Sequence, residues 1–513
     1  MKLYLDTHIC FRMNKIHYLL SRLSSPQLKM FRDYLHYFSV RKDPDTQLMR
    51  LADLLLQSQE EVPSLEDCSR VIYGSMNYNG IQKLKSRLQK KVENLMLMDT
   101  GTEKRDTGLD ELDKYIIIIR RKVALFHILL LSGTDSSSFL TSEMEDIIRL
   151  SKKYELYSIL VEQLKYKKWM LGLREGEKVL IEIGKQIAFY QRCDEALAKA
   201  VDCYYLAVIR NVHHSKSNQE SLQKFLKKNI AFLQGEIKVT GSAMVQYYTK
   251  QLEAMYYDGL NKVERAQEAA IEMLKIIQGN KSVYRKQRLA IAYIYLSNCD
   301  IRMGIYDQAI AYAISAKKLC ARNSVNYYAS IDYEFLARLY DGDWTHCQRL
   351  SQELLRSVKK EIGDFSFAKY LFYQASVYYM NHKYKEALRL LNYKLQLSKD
   401  KQGWDVSIRI LKIQTLVDMG MLDEASTQVL GLLKHVERSF FETEMKPREK
   451  LILKTLRLLE HEGFSGQRVK TKLEKSLELL RQNENYKWEP LSSELYPFEN
   501  WLMARFRFLK LQK

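Results

Sequence analysis

"GIYDQAIAYAISA", residues 304–316, is the stretch on which the reading of this chain turns. Gly304 interrupts one apolar, helix-forming run. The run that follows places Ala309, Ala313 and Ala316 four and three residues apart, on one face of a helix. Side chains this small let two helix axes approach closely, while larger residues three or four positions away fill the grooves between ridges. A face of this kind is useful only against another helix, so the question is how often the chain repeats it.

On both sides the pattern recurs, in "QLEAMYYDGLNKVERAQEAAIEML", "YIYLSNCDIRMGIYDQAIAYAISAKKL", "FLARLYDGDWTHCQRLSQELL", "LFYQASVYYMNHKYKEALRLL" and "ILKIQTLVDMGMLDEASTQVLGLL", between residues 243 and 435. In each stretch a first helix carries a small or apolar pair, such as Leu296-Ser297 or Leu336-Ala337, and a short turn leads to a second helix. The second helices are marked by Ala266, Ala309, Cys347, Ala387 and Ala425, at steps of 43, 38, 40 and 38 residues. An even period of this length predicts an all-α helical-repeat superhelix, or solenoid. The turn before Trp344 reads as shorter than the others.

The stretches "YIYLSNCD…GIYDQAIAYAISA" and "LFYQASVY…HKYKEALRLLNYK" resemble the tetratricopeptide (TPR) repeat family, whose W-x2-L-G-x2-Y, turn and A-x3-F-x2-A alternation they follow. The Tyr-x-x-Ala of "YDQA" and "YKEA" is the most TPR-like element. The steps exceed that family's 34 residues, and no repeat closes on proline; repeats of the HEAT or armadillo type are the alternative. The opening "LSSPQLKMFRDYL" and the closing "LYPFENWLMARF" look like those of roughly 500-residue bacterial TPR-like proteins without a defined biochemical role. The resemblance implies that first helices line a concave groove that holds a protein or peptide partner. Carried across repeat by repeat, it selects Gln251, Met255, Asn298, Arg302, Ser376, Tyr379 and Gln414 as groove-facing residues. Asn and Arg suit a peptide's backbone and carboxylates, and Tyr and Met suit its apolar side chains. The Lys/Asn clamp of chaperone-tail-binding TPR domains is not recognisable.

On either side lie further helical regions. Residues 1–98 read as a small N-terminal helical domain, with Ser25 and Ser64 as caps and Asp67 three residues after Ser64. "NYNG", 77–80, turns the chain into a helix whose apolar stripe is Ile81, Leu84, Leu88, Val92 and Leu95. Lys83, Arg87, Lys90 and Asn94 fall on the opposite face, and the element 65–98 reads as helix-turn-helix-like, with those four as candidate nucleic-acid contacts. "DTGTEKRDTG", 99–108, and "SGTDSSS", 132–138, read as loops. Residues 109–242 form a helical connecting region of divergent-repeat character, in which 175–212 is either one long helix or two repeat helices. Residues 436–513 supply closing helices, which a solenoid needs to cover its last apolar face, and an aromatic C-terminal helix within "YPFENWLMARFRFLK" that docks back on the array.

The 513 residues carry 20 Gly and 6 Pro, too few for a turn-rich β protein or a Gly-looped nucleotide enzyme. The formal charge of +19 is spread evenly: residues 1–100, 101–250, 251–400 and 401–513 carry +4, +5, +6 and +4. There is thus no basic tail, and the excess reads as a solubility feature. Seven dispersed cysteines without a C-x-x-C pair predict reduced thiols, not disulfides or a zinc site. The N-terminus lacks the apolar core of a signal peptide, and "YIIIIRRKVALFHILLL" is split by Arg120, Arg121 and Lys122, so the expected location is cytoplasmic.

No phosphate-binding glycine loop, H-E-x-x-H or G-x-S-x-G motif occurs, and His213-His214 is a poor metal clamp because neighbours in sequence diverge around a helix. The expectation is a non-catalytic scaffold or adaptor without cofactor or metal. A DNA-binding regulator with a TPR-like sensor region is the alternative, and an enzyme with a site built from no recognisable motif the third reading.

Overall fold

The computed structural model describes residues 14–21, 23, 25–37, 44–57, 63–98, 109–132, 137–212, 216–361, 364–393, 404–439 and 445–506. The loop 99–108 and the pair His213-His214 lie outside the described residues, as does 133–136 of the second loop. Contacts divide the chain into two units, one within 1–109 with 116–121, the other within 110–115 and 122–513.

The first unit contains α1 (Asn14–Ser21), α2 (Ser25–Tyr37), α3 (Pro44–Gln57), α4 (Leu65–Tyr73) and α5 (Tyr78–Met98). Its core joins Ile16, Leu20, Phe31, Leu35, Leu48, Leu51 and Leu55 to the stripe Ile81, Leu84, Leu88, Val92 and Leu95 of α5. The start of α4 is held reciprocally: Ser64 Oγ accepts from the Asp67 amide at 3.1 Å, and the Asp67 carboxylate accepts from the Ser64 amide at 3.2 Å. Gly74, at φ 76°, ends α4, and Ser69 Oγ accepts from the Asn77 amide at 2.7 Å, which fixes the turn into α5.

Helix α6 (Glu111–Leu131) is divided between the units, with 116–121 in the first, and the second unit continues through α7 (Ser137–Lys153), α8 (Tyr157–Glu175), α9 (Glu177–Val212) and α10 (Lys216–Thr240). The repeats follow: α11 (Ala243–Gly259) with α12 (Val263–Gly279), α13 (Lys286–Arg302) with α14 (Tyr306–Leu319), α15 (Val325–Asp341) with α16 (Trp344–Glu361), α17 (Asp364–Met380) with α18 (Tyr384–Leu391), and α19 (Trp404–Asp418) with α20 (Leu422–Ser439). After these come α21 (Pro447–His461), a short 3-10 turn (Gly466–Val469), α22 (Lys470–Gln482) and α23 (Phe498–Arg505). No strand occurs among the described residues, and the fold is an all-α, TPR-like helical-repeat solenoid.

Of the two readings of 175–212, the structure has one helix, α9. Gly184 does not break it, because a mid-helix glycine costs only about 1 kcal/mol relative to alanine. Ala196, Ala200, Cys203 and Ala207 form its buried small-residue stripe, packed with Leu222, Leu226, Val245 and Leu252 of α10 and α11. The α7–α8 turn is tied to the first repeat by the Glu155 carboxylate, which accepts from the Ala243 and Met244 amides at 3.0 and 3.1 Å and from Ser242 Oγ at 2.6 Å. A carboxylate there satisfies amides that α11 cannot pair internally.

The five repeats share one turn. Asn261, Gly304, Gly342, His382 and Gly420 all adopt left-handed φ between 58° and 86°. Around each, the next amide reaches back to a carbonyl five residues earlier: Lys262 to Tyr257, Ile305 to Asp300, Asp343 to Arg338, Lys383 to Tyr378 and Met421 to Leu416, at 2.8–2.9 Å. This is the helix ending that glycine favours and asparagine tolerates. The second-helix marker follows five residues later in every repeat, so turn and crossing point keep one register.

The turn before Trp344 is therefore not shortened, contrary to the sequence reading. That reading aligned Leu336-Ala337 with the small pair of other repeats, whereas the crossing residue opposite Cys347 is Phe335. The residues twelve positions before each marker, Ala254, Ser297, Phe335, Ala375 and Ile413, are all completely buried. Ser297 Oγ donates to the Ala309 carbonyl at 2.9 Å across one such crossing. In the third repeat the first-helix residue is aromatic, and Phe335 stacks on Tyr373 of α17 with centroids 4.3 Å apart.

Candidate functional site

Met255, Asn298, Ser376 and Gln414 stand eleven residues before their repeat's marker, and Arg302 stands seven before. They therefore do share a face of the first helices, as the resemblance implied. The structure gives them different surroundings. Met255, Asn298 and Arg302 are partly exposed, whereas Gln251, Ser376, Tyr379 and Gln414 are buried. These four are not open contact positions, which corrects the expectation for them.

Internal partners explain the other polar members. Arg302 is bonded to Asp258 and Asn261 at the end of the preceding first helix, and Asn298 Nδ2 donates to Tyr333 Oη of the following one at 3.1 Å. Both side chains thus join neighbouring repeats. Further along the same face, Lys369 is paired with Asp332 at 2.7 Å. Burial alone would lower the pKa of that lysine, and the Asp332 charge more than reverses it.

Over the last three repeats the face is covered by the chain's own residues 486–505. Trp488 stands edge-on to Tyr340 of α15, with centroids 5.0 Å apart, and the Leu491 amide donates to Tyr340 Oη at 3.3 Å. Leu491 adopts φ 65°, a conformation costly for a residue with a side chain, and that bond helps hold it there. Ser493 and Ser407 of α19 share a hydrogen bond of 2.8 Å, and Tyr496 packs edge-on to Tyr379 of α17 at 5.7 Å. Trp501 Nε1 donates to Asp418 Oδ1 at 3.2 Å, while Tyr379 Oη donates to Asp418 Oδ2 at 2.7 Å. Burial holds the Asp418 carboxyl above the usual carboxylate range, and these hydrogen bonds offset part of that rise. Tyr340 and Asp418 occupy the register of Arg302, seven residues before their markers, and Tyr379 is one residue off it. A single face thus reads an extended segment at successive repeats.

The segment is also bound from the side of α21. Arg448 pairs through two nitrogens with both Glu494 oxygens at 2.7 Å, bonds Glu499, and donates to the Tyr486 carbonyl at 2.6 Å. Burial would lower its pKa, and the two carboxylates outweigh that effect; Glu499 itself is pushed up by burial. Phe498 and Trp501 are buried to within 1% of their surface. The docking of the aromatic C-terminal helix agrees with the sequence expectation. The extended stretch before it, and its place on the predicted groove positions, do not appear in the sequence reading.

In the first unit Lys83, Arg87, Lys90 and Asn94 are exposed on α5, opposite the buried stripe. Among the described residues no group of three His, Cys, Asp or Glu is placed to hold a metal, and no helix is long and apolar enough to cross a membrane.

No family model matches the chain, and no curated protein matches it in sequence. Among solved structures, the chain is similar to a signal transduction ATPase with numerous domains (STAND) protein with a tetratricopeptide repeat sensor from Pyrococcus horikoshii. The two are 12% identical with a TM-score of 0.36, over 88% of this chain and 74% of that one.

Proposed function

We propose that this protein is a non-catalytic adaptor that holds a segment of another protein on the first-helix face of its TPR-like array, in the cytoplasm. The observation that carries the reading is the seating of residues 486–505 on Tyr340, Tyr379 and Asp418. It supplies the means of recognition such a partner would need: rings at the repeat spacing, and polar groups that bond main chain or side chains between them. The same register continues to the partly exposed Met255 and Asn298 of the first two repeats.

A photo-crosslinking amino acid at Met255 or Asn298 tests this. Both positions are expected to capture the same partner segment in cells, whereas Glu268, exposed on α12, is expected to capture none of it. Capture from Glu268 alone, or different proteins from each position, contradicts the reading.

A second reading, DNA binding by the first unit, is favoured by the exposed Lys83, Arg87 and Lys90 on the helix after the capped α4 turn. It predicts that the full chain shifts duplex DNA at low ionic strength, and that Lys83→Ala/Arg87→Ala/Lys90→Ala flattens the salt dependence by about three counterion-release steps. An unshifted duplex in low salt removes it.

A further inference from the structure

Beneath the extended stretch 484–496 lies a cavity of about 650 Å³ between that stretch, α17, α19 and the start of α21. Its size falls within the range of roughly 300–1,000 Å³ typical of small-molecule sites. Part of its wall is aromatic: Phe372 and Trp404 meet edge-on at 6.1 Å, and Tyr496 also lines the cavity.

Two polar groups in the lining are unpaired. Gln414, only 2% exposed, has no hydrogen-bond partner at Nε2, and Ser492 has none at Oγ. Leaving such groups buried and unbonded costs about 1–3 kcal/mol each, and a ligand that accepts a hydrogen bond from them would recover that cost. The charged groups of the lining, in contrast, are all engaged. Arg448 is neutralised by Glu494 and Glu499, Lys446 pairs with Glu489 at 3.0 Å, Lys487 pairs with Glu484 at 3.4 Å, and Glu449 accepts from the Lys446 amide at 3.1 Å. The carboxylates outnumber the cations, so an anionic ligand would lose hydration without gaining a counter-charge.

We propose that this cavity binds a neutral aromatic ligand bearing an amide-type carbonyl, with its ring against Phe372, Trp404 and Tyr496 and its carbonyl accepting from Gln414 Nε2. The site stands independently of whether the rest of the face takes a partner.

N-acetyl-tryptophanamide is a probe of this chemistry, and N-acetyl-aspartate of similar backbone but with charge is its control. Saturation-transfer NMR on the full chain at millimolar probe is expected to show transfer to the indole protons and none to the aspartate. Gln414→Leu is expected to weaken binding roughly three- to tenfold, the worth of one hydrogen bond. Ser407→Phe, which fills the cavity from α19, is expected to abolish it; helical circular dichroism checks that each variant is folded. No transfer to the indole on the unmodified chain, equal transfer to both probes, or transfer unchanged in a folded variant overturns the proposal.

Discussion

Arg448→Met is expected to destabilise the closing end of the array by about 3–5 kcal/mol, because it strands the Glu494 and Glu499 carboxylates in a buried site without their cation. It also removes the donor to the Tyr486 carbonyl, so the extended stretch keeps only the exposed Lys446–Glu489 pair at the start of α21. Denaturant unfolding measures the loss, and limited proteolysis is expected to cut first within 484–497. The triple replacement Arg448→Met/Glu494→Leu/Glu499→Met is expected to recover much of the loss, since a well-packed apolar set can match a buried ion cluster. If Arg448→Met unfolds like the unmodified chain, the cluster does not fasten the segment.

Trp501→Ala is expected to cost a similar amount, about 3–5 kcal/mol, by emptying a buried site beside Phe498 and Phe506. Trp501→Phe keeps most of the apolar contact and loses only the hydrogen bond to Asp418, for about 1–3 kcal/mol. Trp501→Phe keeps that burial and removes a hydrogen bond that favours the charged form, so it raises further a carboxyl that burial already holds high. A carboxyl with a raised folded-state pKa favours folding when protonated, so the deficit is expected to be greatest at neutral pH and to shrink as pH falls through that raised value. Unfolding free energies of this variant at pH 7 and pH 5 check the sign, and a deficit that grows on acidification contradicts it.

How much of this was legible in the sequence differs by element. The second-helix markers were readable because close helix crossings demand small side chains, and Ala266, Ala309, Ala387 and Ala425 announce themselves. The third repeat hid its crossing, because Phe335 occupies the place where the other repeats put a smaller or aliphatic residue and Cys347 lies opposite. The shared turn was half visible. Gly304, Gly342 and Gly420 mark it, but Asn261 and His382 take the same left-handed conformation without the glycine that would have signalled it.

The sequence carries the register of the candidate face but not its exposure. Periodicity shows which residues share a side of a helix; it does not show what lies on that side. Ser376, Tyr379 and Gln414 lie next to a segment that begins about seventy residues or more further along the chain, and no local pattern connects the two. The aromatic density of "YPFENWLMARF" did signal a docking helix. The bonds of Leu491 and Ser493 rest on the path of an irregular stretch, which has no period to read.

If the first-helix face of the last repeats is a segment-recognition surface, it binds its own segment when that segment is supplied in trans. A fluorescein-labelled peptide spanning residues 484–506 is titrated into a chain ending at Asn483 and into the full chain, with fluorescence anisotropy as the readout. Saturable binding to the shortened chain, weakened by Tyr340→Ala or Asp418→Ala and absent from the full chain, is the predicted result. A helical, monodisperse shortened chain that leaves the peptide free would contradict it.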